Sequence, residues 1–245
     1  MTAKAEEARK RLIVALDVDT AEQAESLARQ LSPWAGMFKV GMQLFYSAGP
    51  DVVKRLKDQG LKVFLDLKLH DIPNTVAQAA RALTGLGADI LNVHAAGGLS
   101  MMRAAGQAVA ERAAQLRIPA PMVIAVTVLT SIDQTVFNRE MGQPGEVQER
   151  VMAWARLTQE AGLAGVVASP RETGLIREAC GPDFAVVTPG IRPAWSLSGD
   201  QRRVLSPAEA LALGSSYLVV GRPITAAANP EEAARKVLAE MTGGC

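Results

Sequence analysis

The amino-acid sequence predicts a (β/α)8 barrel, an α/β fold that forms a single domain. Short runs rich in β-branched residues alternate eight times with longer amphipathic stretches rich in Ala, Leu, Glu and Arg. The chain has 245 residues, and no linker divides it into halves; barrels of this size commonly fold as one domain. A doubly wound sheet is the alternative, but residues 16–19 end the first strand without the glycines of a dinucleotide-binding turn.

The elements alternate along the whole chain. The predicted strands are 12–16, 37–40, 62–67, 90–93, 122–128, 165–168, 185–187 and 217–220. The predicted helices are 20–31, 43–58, 74–85, 99–116, 146–161, 170–179, 207–213 and 223–241. Residues 1–10 are predicted to be a polar N-terminal tail, and the catalytic barrel domain is predicted to span residues 11–245.

Two connections are longer than the rest, at residues 130–145 and 188–206. Long loops in a compact domain are usually functional. Both follow the carboxyl ends of predicted strands, which is the face where barrel enzymes carry their active sites. We therefore expect a site at this face.

Composition excludes several classes of protein. Lys and Arg total 26 against 25 for Asp and Glu, a net charge of +1, so no basic excess attracts nucleic acid or an anionic membrane. No apolar run reaches the length of a transmembrane helix, and residues 1–10 lack the apolar centre of a signal peptide. The two cysteines, Cys180 and Cys245, cannot form a disulfide framework. We expect a soluble, cytoplasmic protein.

The third predicted strand carries charges on one face. Because side chains alternate along a strand, Phe64, Asp66 and Lys68 share the face opposite Val63 and Leu65. The apolar face must pack beneath helices, so the charged face points into the barrel mouth. An acid and a base are thus predicted side by side at the carboxyl end of this strand.

Neighbouring segments extend this charged group. Asp17 and Lys39 each alternate with apolar neighbours on the first and second strands, and Asp71 follows the third. Lys39, Asp66, Lys68 and Asp71 have zero total charge, so an alternating network can keep all four ionised. One charge at a strand end is ordinarily a solvated rim or a structural ion pair, but several converging charges favour a functional site.

Residues 66–75, Asp-Leu-Lys-Leu-His-Asp-Ile-Pro-Asn-Thr, resemble the signature of the orotidine 5′-phosphate decarboxylase family. Further matching segments occur in the family's order at residues 15–17, 38–41, 94–98, 128–131, 188–192, 200–201 and 220–222. The resemblance extends from about residue 11 to about residue 233. It implies decarboxylation of orotidine 5′-monophosphate to UMP and CO2 in de novo pyrimidine biosynthesis, without a metal or an organic cofactor.

The resemblance also implies roles for individual residues. Lys68 is expected to donate the proton at C6 of the pyrimidine, and Asp66 to lie beside the substrate carboxylate. Lys39 is expected to pair with Asp66 and to contact a ribose hydroxyl, for which Asp17 is an acceptor. In the family, the residues that match Asp71 and Thr75 reach into the neighbouring subunit's site, which implies a homodimer with shared active sites.

The end of the eighth strand is predicted to bind the substrate phosphate. Gly221 and Arg222 open the last helix, where a backbone N–H and a guanidinium can meet an anion, although the same pair is often an ordinary helix cap. The resemblance adds further substrate-binding candidates, some for the phosphate and some for the pyrimidine. These are Thr130, Ser131, Pro189, Arg192 and Gln201.

Three other interpretations fit parts of the sequence. A magnesium-dependent sugar-phosphate decarboxylase or aldolase of the same superfamily holds its ion partly through an acid near the end of the second strand, where this chain has Lys39. A non-catalytic phosphate-binding barrel would need Gly221 and Arg222 but not the four-charge network, whose desolvation cost would then go uncompensated. His70 and His94 suggest a metal site, but no metal-binding spacing is present, so no metal is predicted.

Overall fold

The computed structural model describes residues 2–196 and 205–243. Eight parallel strands close into a barrel in which each pairs with the next along the chain and the last pairs with the first. The strands are β1 (Leu12–Ala15), β2 (Met37–Gly41), β3 (Val63–Leu69), β4 (Ile90–His94), β5 (Met122–Val126), β6 (Gly165–Val167), β7 (Ala185–Thr188) and β8 (Tyr217–Val220). The predicted fold class is confirmed, and no strand end differs from its predicted position by more than two residues.

Helices connect the strands. They are α1 (Ala3–Arg11), α2 (Ala21–Leu31), α3 (Met42–Ala48), α4 (Asp51–Asp58), α5 (Pro73–Thr84), α6 (Gly98–Leu116), α7 (Val147–Glu160), α8 (Thr173–Cys180), α9 (Pro207–Ala212), α10 (Arg222–Thr225) and α11 (Pro230–Met241). Two predicted helices are each divided in two. The stretch 43–58 breaks at Gly49, whose φ is +75°, and at Pro50. The stretch 223–241 breaks before Asn229, which caps α11.

The N-terminal segment, predicted as a polar tail over residues 1–10, contains the helix α1. Thr2 caps α1 by accepting a hydrogen bond from the backbone N–H of Ala5 (3.3 Å). Arg9 donates to the carbonyl oxygens of Ser32 (3.4 Å) and Ala35 (3.1 Å), just after α2. Ala8 is buried. These contacts with the barrel order a segment whose own hydrophobicity is too low to predict packing.

The apolar core has two layers, as the alternation of side chains predicts. Inside the barrel, every strand but β6 contributes a buried side chain to one cluster, and these residues are Ile13, Ala15, Met37, Phe64, Ile90, Ile124, Val187 and Val219. Their neighbours in sequence, such as Val63 and Leu65, pack between the strands and the helices. The inner cluster fills the barrel, so the charged side chains nearer the carboxyl ends stand on an apolar floor.

The two long connections differ in how much of them the structure describes. Residues 130–145 contain a short π-helix (Val136–Glu140) in which Phe137 is fully buried. The loop 188–206 contains a 3₁₀ turn at Ala194–Ser196. Its residues 197–204 lie outside the described part of the chain.

Arg177, on α8, connects the segments that precede β7 and β8. Its guanidinium donates to the carbonyl oxygens of Gly214 (2.8 Å), Pro182 (2.8 Å) and Phe184 (2.5 Å) and to the hydroxyl of Ser216 (2.5 Å). This end of the barrel is opposite the charged mouth. We infer that Arg177 stabilises the fold and takes no part in chemistry.

Arg177→Ala is therefore expected to lower the free energy of unfolding by about 2–4 kcal/mol, because several oxygens lose a charged donor. Urea unfolding followed by circular dichroism measures the change. The control is Arg103→Ala, which removes an exposed 3.4 Å ion pair with Glu160 and should cost less than about 1 kcal/mol. Equal small effects for both variants would contradict the inference.

Candidate active site

A chain of alternating charges lies at the carboxyl ends of β1, β2 and β3. Lys39 Nζ is 3.2 Å from Asp17 Oδ1 and 3.4 Å from Asp66 Oδ2. Lys68 Nζ is 2.7 Å from the other oxygen of Asp66. The structure thus brings together Asp17, Lys39, Asp66 and Lys68, and Asp66 stands between the two ammonium groups.

The charged chain runs from solvent into the barrel. The Asp17 side chain is 50% exposed, whereas those of Lys39 and Asp66 are 12% and 11% exposed. Burial alone raises the pKa of Asp66, but the ammonium groups of Lys39 and Lys68 outweigh it, and the net pKa lies below the usual value. Asp66 is therefore an anion at neutral pH, held by two cations.

The third strand departs from regular pairing beside Lys68. Leu65 pairs with Leu91 on β4, but Leu69 pairs with Val93, so β3 has extra residues in between. Lys68 has a φ of +53°, in the left-handed region. Strict alternation along β3, from which the sequence analysis argued, therefore ends near this residue, although the Lys68 side chain still reaches Asp66.

Asn92, on β4, belongs to the site and was missed by the sequence analysis. Its side-chain Nδ2 donates to Asp66 Oδ1 (2.6 Å), and its Oδ1 accepts from the backbone N–H of Lys68 (2.8 Å). The signal was present, because Asn92 is a polar residue between Leu91 and Val93 on the inward face of a buried strand.

A cavity of about 220 Å³ opens beside the network. Phe64 and Val219, from the apolar floor, form part of its wall. Six of the predicted site residues also line it, and these are Lys39, Asp66, Lys68, Thr130, Ser131 and Pro189. The cavity therefore has charged groups on one side and hydroxyl-bearing residues after β5 on another, as an enzyme pocket for a small polar molecule requires.

Small residues leave space around the network. A Cβ on Gly41, the last residue of β2, would lie 2.9 Å from Lys39 Nζ and 3.5 Å from Asp17 Oδ1. A Cβ on Gly221 would lie 3.7 Å from Asp17 Oδ2, so the segment that leads into α10 passes beside the first acid of the network. Arg222 follows at once as the first residue of α10 and is exposed.

The other predicted site residues that the structure describes are not among those lining the cavity. Asp71 and Thr75 are exposed, at the turn after β3 and in the first turn of α5. Arg192 is half-buried, and its backbone N–H donates to the carbonyl oxygen of Leu205 (3.1 Å). The prediction for Gln201 falls outside the described residues.

The two histidines are neighbours near the site. The rings of His70 and His94 lie 5.4 Å apart between centroids. Burial lowers the pKa of His94, and the nearby His70 and Lys68 lower it further, which favours a neutral imidazole. Within residues 2–196 and 205–243, no group of three or more His, Cys, Asp or Glu side chains is arranged to hold a metal ion.

Among residues 2–196 and 205–243, no helix combines the length and the apolar character needed to span a bilayer.

The fold and the site define a closed barrel of the kind found in enzymes, with paired lysine and aspartate side chains at the carboxyl ends of the strands, where barrel enzymes carry their active sites. A sequence profile described as Orotidine 5'-phosphate decarboxylase / HUMPS family matches residues 10–237. The chain belongs to this family. The resemblance inferred from residues 66–75 is thereby confirmed.

Named relatives agree with this assignment. The chain is 61% identical to the orotidine 5′-phosphate decarboxylase of Moorella thermoacetica, over 96% of this chain and 93% of the relative. It is 52% identical to that of Syntrophomonas wolfei, over 96% and 99% of the two chains. The crystal structure of orotidine 5′-phosphate decarboxylase from Lactobacillus acidophilus superposes with a TM-score of 0.82 at 42% identity, covering 94% of this chain and 98% of that one.

Proposed function

We propose that this chain converts orotidine 5′-monophosphate to UMP and CO2, with Lys68 as the proton donor. The observation that carries the proposal is the placement of the Lys68 ammonium on the cavity wall, 2.7 Å from a buried aspartate. The substrate is the one for which the relatives are named. The activity is that of a carboxy-lyase, as the sequence analysis expects.

The chemistry needs a cation close to C6. When the C6–carboxylate bond breaks, CO2 leaves and the electron pair remains on C6 in the plane of the ring, where no π system spreads it. The Lys68 ammonium stabilises this charge through space and then transfers one proton from Nζ to C6, which gives UMP. Asp66 holds the Lys68 ammonium at one oxygen, so the donor is oriented before the reaction starts.

The remaining residues bind the substrate in this proposal. Asp17 and Lys39 contact ribose hydroxyls at the solvent end of the charged chain. Gly221 and Arg222, where β8 leads into α10, bind the phosphate. Five further residues are proposed to contact the pyrimidine or the phosphate. These are Thr130, Ser131, Pro189, Arg192 and Gln201.

The proposal includes a homodimer with shared active sites. Asp71 and Thr75 lie outside the cavity of their own chain, on an exposed segment that begins three residues after Lys68. Ile72, between them, is 66% exposed, an apolar side chain in a position to be covered by a second subunit. Asp71 and Thr75 of one subunit are proposed to complete the site of the other.

A cytoplasmic location and a place in de novo pyrimidine biosynthesis complete the proposal. The described cysteine, Cys180, is a buried free thiol, which suits a reducing compartment. No nucleic-acid or membrane partner is proposed, because the net charge is only +1.

The family also includes the HUMPS enzymes in its name, so the magnesium-dependent sugar-phosphate reaction is the alternative to test. Lys39 opposes it, because its ammonium lies 3.2 Å from Asp17 and 3.4 Å from Asp66, where it competes with a divalent cation for both carboxylates. The decisive experiment follows the loss of orotidine 5′-monophosphate absorbance with and without a chelator. Decarboxylation that the chelator does not slow is expected. Absence of decarboxylation, or its loss on chelation, would overturn the proposal.

Arg222→Ala tests the phosphate site. The change is expected to lower kcat/KM for orotidine 5′-monophosphate, because the phosphate loses a charge-assisted contact. The loss should correspond to about 2–4 kcal/mol of transition-state stabilisation. Turnover of the unphosphorylated nucleoside should be unaffected. The control is Arg235→Ala, which removes an exposed arginine paired with Glu232 on α11 and should leave both reactions unchanged. Equal losses for both substrates in Arg222→Ala would mean that Arg222 supports the fold.

A further inference from the structure

Asn92 is an amide buried in an otherwise apolar strand. Only 2% of its surface is exposed, and its neighbours Leu91 and Val93 face the helices on the other side of the sheet. A buried amide is costly unless its hydrogen bonds are satisfied. Here both ends have partners, at 2.6 Å on Asp66 and at 2.8 Å on Lys68.

The chemistry of the partners determines the orientation of the amide. The carboxylate of Asp66 only accepts hydrogen bonds, so it faces the Asn92 NH₂ group. The backbone N–H of Lys68 only donates, so it faces the Asn92 oxygen. Asn92 therefore joins the two groups that the proposed reaction depends on, through two different atoms.

The backbone of Lys68 needs such support. A residue with a side chain rarely adopts a φ near +53°, and it does so only where its surroundings hold it there. The regular ladder between β3 and β4 is interrupted between Leu65 and Leu69. The Asn92 oxygen takes the hydrogen bond of the Lys68 N–H at this irregularity.

The carboxylate of Asp66 is held in a similar way. Oδ1 accepts from Asn92 Nδ2 (2.6 Å) and from Lys68 Nζ (2.7 Å), while Oδ2 faces Lys39 Nζ (3.4 Å). Rotation of the carboxylate would break contacts on both oxygens. Its direction, and with it the direction of the Lys68 ammonium, depends on the Asn92 donor.

We infer that Asn92 is a positioning residue that sets the location of the Lys68 ammonium by anchoring the Lys68 backbone and the Asp66 carboxylate together. This inference rests on the proposed function of Lys68. Asn92 does not line the cavity as Lys68 and Asp66 do, so its effect on the reaction passes through them.

The first test is Asn92→Leu in the full-length enzyme, a change that keeps the number and branching of the side-chain heavy atoms and removes both hydrogen bonds. We expect kcat to fall about 10- to 100-fold, because misplacement of a reacting group by about 1 Å has effects of this size. KM for orotidine 5′-monophosphate should stay within about threefold, since the proposed ribose and phosphate contacts remain. An unchanged kcat, or a rise in KM alone, would overturn the inference.

The matched control is Thr127→Val. Thr127 is also 2% exposed, and its hydroxyl donates to the carbonyl oxygen of Val167 (2.9 Å). This variant removes a buried polar contact of the same barrel without touching Lys68 or Asp66. It should lower the melting temperature and leave kcat unchanged. A matching loss of kcat in Thr127→Val would show that any loss of buried polarity slows the reaction, and would overturn the inference.

Asn92→Asp should change the pH dependence of kcat, which a purely structural role of Asn92 would not do. This variant also tests the inference if Asn92→Leu does not fold. The new carboxylate still accepts from the Lys68 N–H but faces Asp66, and two carboxylates this close share one proton. Lys39, Lys68 and His94 are the other titratable groups around the pair. We compare kcat of the variant with kcat of the native chain at each pH. The ratio should be low at high pH and should rise as pH falls, because the pair of carboxylates then gains its proton. A pH profile parallel to that of the native chain would contradict the inference.

Failure of the inference and failure of the proposed function are distinguishable. A native chain without decarboxylase activity would overturn the proposed function alone. The crystal structure of Asn92→Leu then tests the inference without an assay, because the φ of Lys68 is expected to leave the left-handed region and its Nζ to separate from Asp66. An unchanged Lys68 in that structure would overturn the inference whatever the activity.

Discussion

Lys68→Ala is expected to lower kcat by at least about 100-fold, since a general acid contributes about 10²–10⁴-fold to a rate. Binding of the product UMP, measured by calorimetry, should largely survive. The physical reason is that the Lys68 ammonium acts on charge that appears on C6 only during the reaction, so its loss affects the transition state more than the bound ground state.

The control for this variant is Lys54→Ala. Lys54 is an exposed lysine that pairs with Asp51 at 3.1 Å on α4, and its removal should leave kcat unchanged. Retention of more than about a hundredth of the native kcat in Lys68→Ala would contradict a proton-donor role. A large loss of UMP affinity would instead indicate that Lys68 mainly binds the nucleotide.

Mixing two inactive variants is expected to restore activity if the active sites are shared between subunits. Lys68→Ala and Asp71→Asn homodimers should each be nearly inactive, because every site lacks one essential charge. In a mixed dimer with crossed sites, one site carries both defects and the other carries neither. Refolding an equal mixture should therefore restore about a quarter of the native activity, when half the dimers are mixed and the sites act independently.

The readout combines the decarboxylation assay with native mass spectrometry, which counts the mixed dimers. Refolding each variant alone provides the baseline. If Asp71 serves the site of its own subunit, every site in the mixture keeps one defect and mixing restores nothing. Mixed dimers without recovered activity would thus refute the crossed arrangement.

Much of the fold could be predicted because strands and helices bury different patterns of residues. The alternation of Phe64 and Asp66 with Val63 and Leu65 along the sequence separates the inside of the barrel from the helix layer. The same reasoning brought Lys39 to the mouth, where it lies between two acids. Local patterns are sufficient here because the face of a strand is a local property.

Other features depend on pairing between distant segments, and the local pattern does not contain them. The left-handed backbone of Lys68 arises where the register between β3 and β4 shifts, and no residue near Lys68 in the sequence indicates it. The division of the stretch 43–58 is a different case, because Gly49 and Pro50 are visible in the sequence and favour a break. The role of Asn92 could be predicted only in part. The sequence shows a polar residue on a buried strand but does not show its partners, Asp66 and Lys68.

The space beside Gly41 separates the requirements of activity from those of folding. The φ of Gly41 is −92°, which any residue adopts, so the backbone does not demand a glycine. A methyl group there would nevertheless meet Lys39 Nζ, the mobile end of a long side chain that can move aside without disturbing the fold. Under the proposed function, in which Lys39 contacts the substrate, position 41 is thus constrained by activity and not by folding. A library of variants ranked by thermal stability would pass an alanine at this position, and only a screen for turnover would reject it.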